Sequence, residues 1–426
     1  MAEEQSIHES MYLSDEGRRI RDEIHRLQPL IREHAFEGEK LGCLPGPTLQ
    51  ALYEADVFRL STPRQFGGLE LGARDLAEIF AALGRADGSA AWVAMVSSGF
   101  SRVALTFPDQ TVEEVYGLSD TWKGPVIVGA SLFSDKIQKA RKVDGGYIVE
   151  AGGKWGFGSG CKHAAYVAVG VEVDDTRGMV LLQRDQYAIV DDWHVMGLSG
   201  SSSNSVTVES DVFVPEHRFS NIAMLPDNLN QLRNKYSGLG YQLDGLGLML
   251  IVALETIALI SGMARGAYHC FVEQTQNKKP FNLPYESLAQ TPSIQVAAGK
   301  TNAMLNAAEA LIFARADYID RKAMAGDPFT PSEESEIMMD LVHAGNVAGQ
   351  AADMIQIALG SFTVSLKNPI QRFVRDIRVG LTHGSIRLDP VAELSGRQRL
   401  GLMPFGEFTD GLPGVNKAKE KAAKAA

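Results

Sequence analysis

The chain of 426 residues is poor in cysteine: Cys43, Cys161 and Cys270 are the only three, an odd total with no close pair. That excludes a disulfide framework and a cysteine zinc site, and a reducing cytoplasm is the expected compartment. Basic charge is also short. With 41 Lys and Arg against 52 Asp and Glu the formal net charge is −11, whereas a protein that tracks nucleic-acid phosphates needs a basic face to displace counterions. No stretch reads as a membrane span, because the most apolar one, residues 246–264, contains Glu255 and is bounded by Asp244 and Arg265. It is expected as a buried helix. Residues 1–15 are polar and acidic, without the basic start and apolar core of a signal peptide. No Gly-x-Gly-x-x-Gly follows a strand and opens a helix, so a nicotinamide-binding unit is not expected. His163, His194 and His217 lack a ligand spacing, which leaves no metal site in view.

What is present is ordinary globular sequence, 45% hydrophobic and 22% charged, in a chain too long for one growing core, so two or three units are expected. Ile20, Ile24, Leu27, Leu30 and Ile31 repeat at helical spacing and put one apolar stripe on a helix, and residues 75–84 resume that pattern after the breaker run Thr62-Pro63-Arg64-Gln65-Phe66-Gly67-Gly68. The first third is read as α-helical. Between residues 126 and 214 the period falls to two, with β-branched runs at 126–128, 147–149, 166–169, 179–182, 206–208 and 212–214 and a turn at Asp144-Gly145-Gly146. An antiparallel unit of short strands is expected there. Beyond Gly240 alanine-rich helical sequence returns, broken at Lys278-Lys279-Pro280, Gly326-Asp327-Pro328 and Lys367-Asn368-Pro369, which predicts four helices of roughly 20 residues or more. Two runs are hard to explain by packing alone. One is Lys154-Trp155-Gly156-Phe157-Gly158-Ser159-Gly160; the other is Arg375-Asp376-Ile377-Arg378-Val379-Gly380-Leu381-Thr382-His383-Gly384.

The order of helices, small β unit and helical bundle, with these joints, resembles the acyl-CoA dehydrogenase superfamily over about residues 40–400. Phe66-Gly67-Gly68 resembles the end of its "P-x-x-x-G-G" element, Asp211-Val212-Phe213-Val214-Pro215 its "D-V-x-V-P" strand, and Arg375-Asp376 its "R-D" step. Dehydrogenases of that superfamily commonly carry a Glu base nine residues after this Arg, where here Gly384 stands. Its flavin-dependent monooxygenase branch, with the hydroxylases of p-hydroxyphenylacetate, of steroid-derived phenols and of dibenzothiophene, carries His eight residues after the Arg, as His383 follows Arg375. Trp155-x-Phe157-x-Ser159-Gly160 resembles the branch's "W-x-F-x-S-G", and residues 192–200 resemble its "D-x-W-x-x-x-G-L-x-G". One departure is Ser134-Asp135-Lys136 where the branch often has Pro-x-Gly-x-Ala.

The resemblance implies an α+β fold of acyl-CoA dehydrogenase type: an N-terminal α-helical domain over residues 1–123, a central antiparallel β-barrel domain over 124–222, a C-terminal four-helix bundle over 223–415 and a tail over 416–426. It implies the oxygenase component of a two-component flavin-dependent monooxygenase. Reduced FMN or FAD arrives from a separate reductase, O2 is co-substrate, and a C4a-hydroperoxyflavin hydroxylates an aromatic, polyketide-like or heteroatom-bearing small molecule. A homotetramer is implied as well, with no nucleic-acid or membrane partner. The alternatives are an FAD-dependent acyl-CoA dehydrogenase using a displaced base, for which Glu255 is the candidate, and a non-catalytic scaffold that has lost its cofactor.

Catalytic roles fall on Ser159, as acceptor of the flavin N5 proton, and on His383, as the group that supplies or orients a proton. A turn serine and a structural cap are the bland readings of the two. Trp155, Phe157 and Trp193 either wall the ring system or fill the β core. Ser131 is placed at the pyrimidine edge, Lys278 (or Lys279) at the phosphate, and Ser199-Gly200-Ser201-Ser202-Ser203-Asn204 either holds a phosphate or makes a hairpin. Arg375 is expected in an ion pair with Asp376 or Asp389 at a subunit contact, and the substrate pocket around residues 92–102 and Phe362.

Overall fold

The structure is a computed structural model that describes residues 10–132 and 138–402. Ser134-Asp135-Lys136 and the tail beyond residue 415 lie outside the described residues. Five helices open the chain: α1 (Asp15–Leu41), α2 (Gly46–Glu54), α3 (Ala73–Ala86), α4 (Gly88–Ala104) and α5 (Asp109–Tyr116). Ser14 caps α1, its hydroxyl accepting from the Gly17 amide, and the stripe Ile20, Ile24, Leu27 and Ile31 is buried as its spacing requires. Helix α3 differs, because 13 of its residues are buried, from Ala73 through Ala86 with Arg85 alone omitted. It is wrapped on all sides.

Ten strands follow: β1 (Ile127–Ala130), β2 (Gln138–Val143), β3 (Gly146–Val149), β4 (Lys154–Trp155), β5 (Tyr166–Val173), β6 (Thr176–Gln183), β7 (Ala188–Ile189), β8 (Val206–Thr207), β9 (Val212–Pro215) and β10 (Phe219–Asn221). The larger sheet runs β10-β6-β5-β2-β3-β9 with β1 attached to β5, and β4-β8-β7 form a small second sheet. The unit is antiparallel in most of its pairings, as expected, while β1 and β2 each pair with β5 in parallel. Strand β2 has no apolar alternation to announce it; Gln-Lys-Ala-Arg-Lys-Val buries only Ala140.

Helices α6 (Leu225–Gln231), α7 (Gly245–Asn277), α8 (Pro292–Ala325), α9 (Pro331–Leu359), α10 (Pro369–Leu381) and α11 (Leu388–Arg399) complete the described chain. Three are long, but α10 has only 13 residues, which corrects the expected four of about 20 or more. Helix α7 has 33 residues and is long and apolar enough by composition to cross a bilayer, yet 83% of its most apolar window is buried in the fold. Length therefore does not exclude a span, as its sequence alone suggested; packing explains its hydropathy. Its centre lies directly on α3. A Cβ at Gly262 would come 2.2 Å from the Ala81 carbonyl oxygen, and one at Gly84 would come 2.2 Å from that of Leu259. Glycine at both crossing points lets the backbones touch, and a methyl at either would force the helices apart.

Candidate active site

Trp92, buried on α4, is where the two sequence-singled residues meet. Its indole Nε1 donates to Ser159 Oγ at 3.2 Å, and its ring meets the His383 imidazole edge-on at 5.8 Å between centroids and 66° between planes. Ser159 comes from the turn after β4 and His383 from the end of α10, so one side chain from the helical third joins residues of the β unit and the bundle. Sequence reasoning placed Trp92 only in the substrate pocket. Nothing in Ala-Ala-Trp-Val-Ala-Met marks it as a joint, because the contacts are to residues far along the chain.

Ser159 is buried, and its hydroxyl continues into a ladder: Ser159 Oγ to Ser203 Oγ at 2.6 Å, and Ser203 Oγ to Ser201 Oγ at 2.7 Å. The backbone locks the same contact, with the Gly158 amide on the Asn204 carbonyl (3.0 Å) and the Gly160 amide on the Ser201 carbonyl (2.8 Å). Gly160 has a φ of +81°, a region in which a side chain would be strained. Ser201 and Ser203 thus belong to the Ser159 network, beyond the phosphate-or-hairpin choice drawn from their sequence. Ser202 Oγ and Asn204 Oδ1 are buried there without a hydrogen-bond partner.

Backbone strain marks the same place. Ser131 (φ +42°), Phe157 (φ +59°), Leu198 (φ +53°) and Ser202 (φ +45°) are all left-handed without being glycine. Each costs about 1–2 kcal/mol, and such residues concentrate where geometry serves a site. Phe157 is also 73% exposed, an unusual place for a phenyl ring, and stands edge-on to Trp193 at 6.2 Å and 79°. Trp193 is half-buried, with its Nε1 on the Leu198 carbonyl at 3.0 Å. The two form an open aromatic wall beside the serine ladder.

Other candidates stand elsewhere. Trp155 requires correction as a wall residue: it is 1% exposed, packs in the core of the β unit and donates Nε1 to the Gly170 carbonyl at 2.7 Å. Ser131 lies next to the ladder, but its hydroxyl is committed to the Gly156 carbonyl at 2.7 Å. Lys278 does not join the group; its ammonium sits 3.7 Å from the Phe362 ring centroid at the end of α7, near Asn368, which caps the start of α10. His383 is at the other end of α10, roughly 20 Å away at 1.5 Å per residue. Arg375 pairs with Glu39 of α1, Gln371 and the Met196 carbonyl, rather than with Asp376 or Asp389.

The imidazole of His383 is exposed to solvent and stands edge-on to the buried Trp92 ring. Desolvation lowers its pKa, favouring the neutral ring, and the exposure tempers the effect. Nδ1 lies 2.8 Å from Ser385 Oγ, leaving Nε2 to act outward. Glu255 differs in kind. It is fully buried, accepts from Arg102 at 2.9 Å and Ser98 at 2.8 Å, and is held as half of an ion pair. Burial pushes its pKa up while Arg102 opposes that. A cavity of about 320 Å³ lined by Leu105, Phe107, Asn228 and Leu232 lies past the far end of α4 from Trp92 and is separate from these groups. Among the described residues no group of three or more His, Cys, Asp or Glu is placed to hold a metal ion.

Comparison with known proteins identifies the family. The family described as "Acyl-CoA dehydrogenase, C-terminal domain" matches residues 256–387. The flavin-dependent monooxygenase oxygenase subunit HsaA of Mycobacterium tuberculosis is 30% identical over 386 residues, covering 89% of this chain and 95% of that protein. The FADH2-dependent resorcinol hydroxylase oxygenase component of a Rhizobium species is 27% identical over 395 residues, covering 89% and 93%. The crystal structure of the M. tuberculosis HsaA monooxygenase superposes with a TM-score of 0.78 at 29% identity, covering 92% of this chain and 99% of that one. With a relative this similar spanning nearly its whole length, the chain belongs to the flavin-dependent monooxygenases, oxygenase components built on the acyl-CoA dehydrogenase fold.

Proposed function

We propose that this chain hydroxylates a small aromatic molecule, with reduced flavin delivered by a separate reductase, at the junction where Ser159, Trp92 and His383 meet. The single observation that carries the assignment of the site is that one indole touches both Ser159 and His383 beside an exposed, strained Phe157. The residues present fit a flavin. Phe157 and Trp193 offer ring faces, Gly156 has room at its Cα, and Ser202 Oγ and Asn204 Oδ1 are polar atoms still lacking a partner. When bound, reduced flavin supplies the two electrons by which one oxygen atom of O2 enters the substrate and the other leaves as water.

The chain's own contribution follows from its contacts. Ser159 Oγ accepts a hydrogen bond from Trp92 Nε1; when it donates its own proton to Ser203 Oγ, its second lone pair is left to accept from a ring N–H. His383, neutral and with Nε2 outward, can take the proton of a phenol or return one to a departing oxygen. Phe157 is exposed and Trp193 half-buried, and a ring system seated on them would cover them and shed water from the reacting atoms, which favours product over hydrogen peroxide. The relatives named as resorcinol, indole-3-acetate and p-hydroxyphenylacetate hydroxylases or monooxygenases support an aromatic substrate. A homotetramer in the cytoplasm completes the proposal; exposed Ile357, Val364 and Leu366 on and just after α9 support an oligomer.

A dehydrogenase reading needs a free carboxylate, and Glu255, its candidate, is fully buried and ion-paired, its Oε1 accepting from Arg102 and Ser98 while its Oε2 has no hydrogen-bond partner. The test mixes the protein with photoreduced FMN or FAD, oxygenated buffer and a panel of phenols and indoles. Hydroxylated product exceeding hydrogen peroxide for at least one aromatic supports the proposal. Peroxide alone with every aromatic, together with anaerobic bleaching of the oxidised flavoprotein by an acyl-CoA, refutes it.

A further inference from the structure

Asp376 is buried on α10, seven residues before His383, and nothing above gives it a task. Its Oδ1 accepts from the Leu198 amide at 2.6 Å. Leu198 is one of the left-handed residues, and its carbonyl is held in turn by Trp193 Nε1 (3.0 Å) and by the Ser201 amide (3.0 Å). From Ser201 the hydroxyl ladder leads through Ser203 to Ser159. A second contact stands beside the first: a Cβ at Gly197 would lie 2.4 Å from the Arg375 carbonyl oxygen, so the loop touches the α10 backbone directly. The aromatic wall, the serine ladder and the helix ending at His383 therefore share one anchoring peptide.

We propose that Asp376 is a positioning residue, which clamps the left-handed Leu198 peptide and so registers the Ser201–Ser203–Ser159 ladder and Trp193 against the helix that carries His383. Its function in turnover rests on the flavin site proposed above. The anchor itself is a property of the chain without flavin. The groups facing Asp376 are Asp87 at the α3–α4 junction, Arg372 one turn earlier on α10 and Glu39 of α1. Arg372 Nε lies 3.8 Å from Asp87 Oδ1, so the one guanidinium is turned to the other carboxylate, and Asp376 Oδ2 has no hydrogen-bond partner. That surrounding favours a protonated Asp376, which still accepts through Oδ1.

The test uses the full chain as three variants, Asp376→Asn, Asp376→Ala and Gly197→Ala. Asn keeps an acceptor oxygen; Ala removes it; Gly197→Ala pushes the loop off α10 while leaving Asp376 in place. Hydrogen exchange of peptides spanning residues 193–205 is read in the flavin-free protein, then flavin affinity and the ratio of product to peroxide. Asp376→Ala and Gly197→Ala are expected to speed exchange at 198–203 by about tenfold and to lower the product-to-peroxide ratio several-fold, with Asp376→Asn close to the parent in both. Exchange at 198–203 unchanged in both Asp376→Ala and Gly197→Ala overturns the proposal. So does an Asp376→Asn protein that loses as much protection as Asp376→Ala. A parent protein that makes no hydroxylated product defeats the proposed function alone, because the exchange result is independent of it.

Discussion

Replacing Trp92 with Phe isolates the hydrogen bond that ties the site together. The phenyl ring keeps an aromatic edge near His383 but has no N–H for Ser159 Oγ, which retains only Ser203. Loss of one neutral hydrogen bond costs about 1 kcal/mol, and the smaller ring at a position only 7% exposed leaves a void worth roughly another 1–2 kcal/mol. Trp92→Phe should therefore lose about 2–3 kcal/mol of stability. Ser159→Ala removes the same bond from the other side and orphans the indole N–H, for about 1–3 kcal/mol. If the pair is coupled, the double variant costs about 1 kcal/mol less than the sum, since the bond can be lost only once. Denaturant unfolding of the four proteins reads this cycle. The functional counterpart is a several-fold fall in product relative to peroxide in either single variant, with little further fall in the double. Additivity within about 0.3–0.5 kcal/mol, together with unchanged coupling of oxygen use to product, would refute the reasoning.

Phe157→Gly relieves a left-handed backbone and should raise stability by about 1 kcal/mol while weakening flavin binding, a trade visible by comparing melting with flavin titration. Trp155→Phe should do the opposite, costing about 2–3 kcal/mol through the core and the lost Gly170 bond with flavin affinity intact. Lys278→Ala should leave flavin affinity within about twofold, since its ammonium rests on Phe362. Asp376 is pushed up to about 8 by burial first and by Asp87 and Glu39, against the opposing Leu198 amide and Arg372. A folded pKa above the unfolded value means stability that is present below about pH 4 and lost as pH rises through about 8. Unfolding curves across that window should show the decline, and Asp376→Asn should flatten it.

Much of the architecture was legible because periodicity reports burial. Ile20, Ile24, Leu27 and Ile31 fall on one face of α1, the alternating run at 147–149 became β3, and the unbroken apolar run at 166–169 became β5, buried on both faces. Strand β2 escaped because its neighbours in the sheet, not its own side chains, hold it; a charged segment between β3 and β5 has no hydrophobic alternation to read. Parallel pairing escaped for a related reason, since crossover partners are set by topology. At the site, Ser159 and His383 were visible by motif spacing, and the structure brings them to one indole. Of the two readings left open for Trp155, wall or β core, the structure shows the core. Strict alternation puts Trp155, Phe157 and Ser159 on a common face, but β4 ends at Trp155 and the left-handed turn at Phe157 sends that ring outward while the indole stays in the core. Trp92, Ser203 and Asp376 enter the site through contacts 67, 44 and 178 residues apart, which no local pattern encodes.

The most direct measurement is a structure of this protein with flavin bound. The ring is predicted to lie against Phe157, with Ser159 Oγ within hydrogen-bonding distance of an N–H on its rim and His383 facing the reacting side. A flavin seated away from Trp92, with Ser159 and His383 both out of reach of its ring, would contradict the account.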